Sequence, residues 1–174
     1  MMNDNFKISP WSHKLLEEQG FTGFTDTEIS QHRFGIRFAY VICMTVVALG
    51  LIFKSQTILL IANGIAILGM LPPYHPLDYI YNYGVRFLVK RPKLPPRANQ
   101  GRFACTIATL MLAAMNYYLY QGNITLVYIF GAGLLTSAFL VSFLDFCIPS
   151  KIYNALFRKN VNTDKSDTRS QHTA

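Results

Sequence analysis

Three polar residues beside apolar runs are the first candidates for chemistry: Asp145, Cys147 and His75. A carboxylate at the end of a membrane helix is costly, and it indicates either an ion-binding site or an ion pair. A cysteine can supply a thiol nucleophile, and a histidine can shuttle protons or bind a metal or haem. No second histidine lies at ligand spacing from His75, and the sequence has no P-loop, nucleophile elbow or paired catalytic acids. These residues favour a protein that is not an enzyme and has no cofactor or metal, with His75 either capping a helix or contacting a lipid headgroup.

Asp145 is better explained as one member of an ion pair than as a proton or ion site. Two acids, Asp78 and Asp145, each follow an apolar hairpin, and two arginines, Arg37 and Arg102, each begin one. A hairpin brings its two ends to the same depth, so we predict the structural ion pairs Arg37–Asp78 and Arg102–Asp145 at one membrane boundary. The crossed pairing, which would join the two hairpins, is the alternative.

Other polar residues lie within or beside the apolar runs. Asn63 and Asn116 are predicted to form interhelical hydrogen bonds, with a polar substrate path as the alternative. Cys43, Cys105 and Cys147 form an odd, scattered set that does not predict a disulfide framework or a zinc site. Cys147 is expected to pack like a small apolar residue, with a reactive thiol as the alternative.

The composition identifies the elements that must position these residues. Hydrophobic residues make up 51% of the 174-residue chain and charged residues 14%, against roughly 25% charged in average soluble chains. No charged residue occurs between Phe103 and Leu144, a stretch of 42 residues. As helix this stretch would measure ~63 Å, about two crossings of a ~30 Å hydrocarbon layer. The sequence therefore excludes a soluble domain and favours an integral membrane protein.

Four apolar runs predict an all-α fold with four transmembrane helices in two hairpins. Tight turns at 54–56 and 121–123 join the helices of each hairpin. We predict a cytoplasmic N-terminal arm over residues 1–33, a membrane domain over 34–158 and a disordered tail over 159–174. Within the arm we expect a short helix over 11–19 and a helix start at Thr25, which has capping-box spacing to Glu28. The predicted helices of the membrane domain are 35–53, 57–74, 103–120 and 124–146, with a basic loop at 75–102 and an interfacial segment at 147–158.

The basic residues predict the orientation of these helices. Fifteen lysines and arginines fall in the arm, the middle loop and the tail, and only Lys54 falls on the opposite side. Because basic residues stay in the cytoplasm, both termini are expected there. We predict a multi-pass protein of the bacterial inner membrane.

The two hairpins have features of a parallel internal repeat. Arg37 and Arg102 are 65 residues apart, and Asp78 and Asp145 are 67 apart. Chance alignment of apolar residues is the alternative explanation. Each half is followed by a segment that predicts an amphipathic helix lying at the membrane surface. The residues predicted to contact lipid headgroups or a partner are Arg86, Lys90, Arg91, Lys93, Arg97, Lys151 and Arg158.

The ending Phe146-Cys147-Ile148-Pro149-Ser150-Lys151 carries a resemblance to a known family. With the loop ending at Pro95-Pro96-Arg97 and the start Arg102-Phe103-Ala104, the chain resembles the bacterial membrane proteins of domain of unknown function 4395. The resemblance implies four membrane helices, no established activity, and association of some members with thioredoxin-like or rhodanese-like domains. The family's ending is similar to Phe-Cys-x-Gly-Cys-Lys, and Ser150 replaces its second cysteine here.

Together these features lead us to expect a non-enzymatic accessory or scaffold protein of the membrane. It would act through its cytoplasmic amphipathic and basic surface. The expected partners are membrane lipids, including anionic headgroups, and a cytoplasmic protein; an oligomer is compatible with the sequence, and nucleic acid is not expected. The alternatives are a membrane partner in thiol or sulfur transfer through Cys147, and a small oligomeric transporter or channel. The simpler alternative is that the basic residues only determine the membrane topology.

Overall fold

The computed structural model describes residues 8–71 and 74–157, and the regular secondary structure of these residues is all helical. The all-α fold class is therefore confirmed. The predicted disordered tail and Arg158 lie outside the described residues. The helices are α1 (Pro10–Glu18), α2 (Asp26–Ile52), α3 (Gln56–Met70), α4 (Pro76–Ile80), α5 (Arg86–Val89), α6 (Asn99–Tyr120), α7 (Ile124–Leu144) and α8 (Ile148–Phe157), with a π-helical turn (Tyr81–Val85) between α4 and α5.

Helix α2 begins at the predicted capping box. The Thr25 hydroxyl accepts a hydrogen bond from the Glu28 amide (3.4 Å), and the Glu28 carboxylate accepts one from the Thr25 amide (2.9 Å). These two bonds satisfy donors that the first helical turn would otherwise leave free. The helix then runs without a break for 27 residues. The predicted boundary at residue 33, between an arm and a membrane helix, thus falls inside one continuous helix.

Helix α3 is shorter than predicted, since it ends at Met70 rather than residue 74. The residue before a proline is disfavoured in a helix, so the sequence Pro72-Pro73 opposes extension. Arg102 satisfies the free carbonyls at this end, with bonds of 3.0 Å to the Met70 oxygen and 3.1 Å to the Leu71 oxygen. With 15 residues, α3 is about 22 Å long.

Three of the described helices, α2, α6 and α7, are long and apolar enough to cross a membrane. Helix α3 is apolar but falls below the ~17–25 residues of a typical crossing. Helix α6 begins four residues before the predicted position, and α7 ends at Leu144 because Asp145 takes a left-handed conformation (φ 57°).

The four long helices form a closed bundle. Helix α2 packs against α3 and α7, and α6 packs against the same two helices. Close contact requires small residues: a methyl group added to Gly131 of α7 would come within 2.7 Å of Leu51 of α2. The buried core of this bundle is formed by Val47, Leu51, Leu59, Ala62, Ala66, Leu112, Met115 and Val127.

The short helices gather at the end of the bundle where α2 and α6 begin and α3 and α7 finish. We call this the basic end. A second buried cluster there joins α1, the start of α2, the π-helical turn and the following loop, and its members are Ile8, Leu16, Ile29, Ile36, Tyr81 and Leu94. The basic end is therefore a packed layer with a buried apolar cluster of its own.

Candidate functional site

The carboxylate of Asp145 is the centre of the first polar cluster at the basic end. Its side chain is 1% exposed, and the guanidinium groups of Arg33 and Arg37 both bind it. Arg37 donates to Oδ1 through Nη2 (2.9 Å) and Nε (3.1 Å). Gln19, the residue that follows α1, donates to the Asp145 carbonyl (2.6 Å). This cluster therefore ties the end of α7 to the start of α2 and to α1.

Asp78 is the centre of the second cluster. Arg97 donates to its two carboxylate oxygens through Nε (2.6 Å) and Nη2 (2.8 Å), in a bidentate ion pair. The Asp78 carboxylate also accepts a bond from the backbone amide of His75 (3.0 Å), and the His75 Nδ1 accepts one from Leu77 (3.2 Å). The Arg97 guanidinium also lies 5.5 Å from the ring centre of Tyr40. His75 is thus a helix cap, which is one of the two roles that the sequence suggests for it.

The predicted pairing within each hairpin, Arg37 with Asp78 and Arg102 with Asp145, is wrong. The bundle places α2 beside α7 and α6 beside α3, so each acid meets the start of the other half of the chain. The crossed alternative holds for Arg37 and Asp145. Asp78 lies beyond α3, inside α4, and there it meets Arg97 from the loop while Arg102 binds the end of α3.

Sequence reasoning missed two of the arginines in these pairs. Arg33 lies four residues before Arg37 on α2, a spacing that puts both side chains on one helix face, so a helical-face analysis could have found it. The sequence predicts that Arg97 contacts lipid headgroups or a partner, yet its side chain is only 11% exposed. No local pattern distinguishes it from the exposed residues of the same loop, because only packing buries it.

The first amphipathic segment, α4 to α5, turns its polar face inward. Asp78 and Asn82 are buried, and the Asn82 side chain accepts a bond from the Leu94 amide (2.8 Å). The wider π-helical turn lets two adjacent residues, Tyr81 and Asn82, both face the protein. The opposite face exposes four large apolar side chains, at 55% to 85%: Ile80, Tyr83, Phe87 and Leu88.

The second amphipathic segment, α8, has the same arrangement. Lys151 forms an ion pair with Glu18 of α1 (2.8 Å), and Asn154 donates to the Glu18 carbonyl (2.7 Å). The apolar residues Ile148, Ile152 and Leu156 stay exposed. Lys151 therefore contacts a protein acid as well as solvent, and both segments keep an outward apolar face.

In the loop between α5 and α6, three basic residues are exposed to solvent: Lys90, Arg91 and Lys93. The sequence contains no Asp or Glu between Asp78 and Asp145, so no acid of this stretch compensates them. Arg86 lies 4.5 Å from the Phe87 ring centre at the base of the exposed apolar face. The positive charge thus lies beside that face.

The two asparagines do not form the expected interhelical bond within the described residues. Asn116 donates to the Leu112 carbonyl of its own helix (2.9 Å), since a carbonyl four residues earlier is within reach of a short side chain. The side-chain oxygens of Asn63 and Asn116 are buried and have no partner in the described part of the chain.

All three cysteines have free thiols and line one cavity among α2, α3, α6 and α7. His75 and Arg97 reach its wall from the basic end. A methyl group on Gly69 would lie 2.8 Å from the His75 Nε2 and 3.2 Å from the Cys105 sulfur, so these two groups share the space that this glycine leaves. Within the described residues, no group of His, Cys, Asp or Glu side chains is arranged to hold a metal ion.

Burial controls the ionisation of the groups between the helices. It raises the pKa of the Cys147 thiol, which a hydrogen bond from Ser150 lowers less strongly. It lowers the pKa of His75 to about 4, helped by the charge of Arg97 and opposed by Asp78. At neutral pH both groups are therefore uncharged. A neutral thiol is a weak nucleophile, so these groups are suited to packing and positioning.

The fold and the basic end define an all-helical membrane protein with two buried ion-pair clusters and outward apolar faces. The chain belongs to the family described as Domain of unknown function (DUF4395), which matches residues 33–158. This confirms the resemblance drawn from the sequence. No curated protein and no solved structure matches the chain.

Proposed function

We propose that this protein is a non-enzymatic accessory or scaffold protein of the bacterial inner membrane. It would act at the cytoplasmic face, where α4 to α5 and α8 lie on the membrane and the basic residues after α5 contact headgroups and a partner protein. The observation that carries the proposal is that both segments bind the protein with their polar faces and leave their apolar faces exposed.

Exposed apolar faces of this kind fit a lipid environment. In water, four large apolar side chains beside one another, such as those around Leu88, would favour aggregation or a partner. Next to a membrane helix the same face can enter the boundary between headgroups and acyl chains. Lys90, Arg91 and Lys93 would then lie at headgroup level, where each basic residue adds ~1 kcal/mol of attraction to anionic lipid.

The proposal includes four crossings, with both termini in the cytoplasm. Helix α3 would be the fourth, since it packs between α2 and α6 and is joined to α2 by a tight turn. Its polar flanks can reach the interfaces by local thinning of the bilayer. The repeat is part of the proposal too: α2 packs on α7 as α6 packs on α3, the relation that a two-fold axis along the membrane normal would produce.

The two alternatives suggested by the sequence fit the geometry less well. Thiol transfer through Cys147 requires an accessible thiolate, whereas this side chain is 4% exposed and burial raises its pKa. A channel would need Asp145 and the asparagines along one path. Asp145 is instead bound by two arginines, and neither Asn63 nor Asn116 lines the cavity.

Quenching of tryptophan fluorescence by brominated lipids tests the position of the apolar face. Trp11 is the only tryptophan, so Trp11→Phe provides a silent background. We expect a tryptophan introduced by Leu88→Trp to be quenched by bromines on the acyl chains of reconstituted vesicles. The matched control is Lys14→Trp, at an exposed position of α1, which should not be quenched. Equal quenching of the two would contradict the proposal.

A charge-matched pair of variants tests the headgroup contacts. Lys90→Gln with Lys93→Gln removes two charges near the apolar face, and Lys14→Gln with Lys165→Gln removes two elsewhere, from α1 and from the C-terminal tail. The first pair should weaken retention of anionic lipid by about 2 kcal/mol, or about 30-fold, and the second should leave it unchanged. A scaffold partner retained in mild detergent should be lost only with the first pair. If both pairs of variants change the retention of lipid and partner equally, the proposal is contradicted and these charges only set the membrane topology.

A further inference from the structure

The cavity among the four long helices is built by small side chains. Alanines from all four helices line it, and larger residues at these positions would fill it: Ala39, Ala62, Ala66, Ala104, Ala108 and Ala138. Interiors are normally packed to the density of organic crystals, and voids larger than a water molecule are few. A void at the centre of a four-helix bundle removes packing contacts, so it has a stability cost unless something occupies it.

The walls determine what can occupy this space. Among the described residues that line the cavity, Arg97 alone carries a formal charge at neutral pH, and its bidentate ion pair with Asp78 neutralises that charge. His75 is uncharged there, because burial lowers its pKa to about 4. Tyr40 and Ser137 also line the cavity, and the rest of the wall is apolar side chains and three thiols, which are soft, polarisable groups. An ion would lose its hydration without gaining a partner, whereas a neutral apolar molecule loses little.

The volume of the cavity limits the size of the ligand that it can hold. Its volume is about 120 Å³, and an apolar cavity of roughly 150 Å³ in another protein stays dry and binds benzene. Ile42 and Ile107, which line the cavity, are only half-buried, so the wall reaches the outer surface of the bundle. A ligand dissolved in the bilayer would contact that surface.

We propose that this cavity is a binding site for a small, neutral, apolar molecule no larger than benzene, which enters from the bilayer and lies against the three thiols. The site differs from the membrane-surface contacts proposed above and does not depend on them. No charge, metal or covalent step is involved.

The test uses thermal unfolding of the full-length protein in detergent, with benzene as the probe. At a benzene concentration of about ten times Kd, the unfolding temperature should rise by about 3–6 °C. Ala108→Leu on α6 fills the cavity and should abolish the rise. Ala113→Leu, on an exposed position of the same helix, adds the same three carbons outside the cavity and should retain it. Benzoate, an ionised analogue, should produce no rise.

A second matched pair covers the case in which Ala108→Leu fails to fold. Ala138→Leu fills the cavity from α7, and Ala132→Leu adds the same group at an exposed site of that helix. Benzene also enters the micelle, but this effect is common to all the variants. The proposal is overturned if benzene shifts the filled and control variants equally, if it shifts neither the wild type nor the controls, or if benzoate acts as benzene does.

Discussion

Replacement of Asp145 by asparagine probes the buried ion-pair cluster at the basic end. The carboxylate is 1% exposed and receives bonds from both Arg33 and Arg37. Asparagine keeps the size of the side chain and tolerates the left-handed backbone of this position (φ 57°). The substitution therefore removes one negative charge and leaves two guanidinium groups without their partner.

The expected loss of stability follows from the burial of the partners. Breaking a fully buried ion pair costs ~3–5 kcal/mol, because it strands a charge. Arg33 and Arg37 are 31% and 28% exposed, so water can relieve part of this cost. We expect Asp145→Asn to lower the free energy of unfolding by about 2–3 kcal/mol. In thermal unfolding of the detergent-solubilised protein, this corresponds to a fall of about 4–12 °C.

A double-mutant cycle tests whether Asp145 is coupled to Arg37 or to Arg102. Arg37→Gln removes one stranded charge, so adding it to Asp145→Asn should cost less than the sum of the two single losses, with a coupling of about 1–3 kcal/mol. Arg102→Gln, which breaks bonds to the end of α3 instead, should be additive with Asp145→Asn within about 0.5 kcal/mol. Coupling of Asp145 to Arg102 but not to Arg37 would refute the crossed arrangement of the two halves.

Three further predictions concern ionisation, the thiol and topology. His75 has a pKa of about 4 in the folded protein and about 6.5 when unfolded. The free energy of unfolding of the wild type should therefore fall by up to ~1.4 kcal/mol per pH unit as the pH falls from 6.5 towards 4. His75→Asn, which can still cap Leu77, should show a flatter profile of unfolding temperature against pH. Cys147→Ser should leave folding and any cellular phenotype intact and lower the free energy of unfolding by about 1 kcal/mol, measured by thermal unfolding. Loss of function in this variant would favour the thiol-transfer alternative. In a cysteine-free background, a cysteine at Asn123 should react with an impermeant reagent from outside the cell, and one at Lys93 should not. Labelling of Lys93 from outside would reverse the proposed orientation.

Local chemistry is sufficient to predict much of the helical framework. The turn at 121–123 separates α6 from α7 as expected, and the capping box at Thr25 and Glu28 starts α2. These features depend on neighbours within four residues, which the sequence contains directly. The predicted ends of α3 and α7 are too long, and at the end of α3 a distant residue, Arg102, bonds the Met70 carbonyl.

The amphipathic faces were predictable in part. Helical spacing groups Ile80, Tyr83 and Phe87 on one side, and the structure leaves all three exposed. Spacing does not say which side faces the protein's own core. The structure buries the polar face against the loop and α1, through Asn82 and Asn154, because these side chains find backbone partners there.

The sequence by itself determined that this protein is helical, apolar over its long segments and basic at one end, because composition and periodicity are properties of the chain. Only the tertiary structure decided the partners of its charges. Asp145 meets Arg37, 108 residues away, and Asp78 meets Arg97, because α2 packs beside α7 and α6 beside α3. The convergence of Cys43, Cys105 and Cys147 on one cavity has the same origin. Contacts between helices depend on which faces pack together, and no spacing within one helix contains that information.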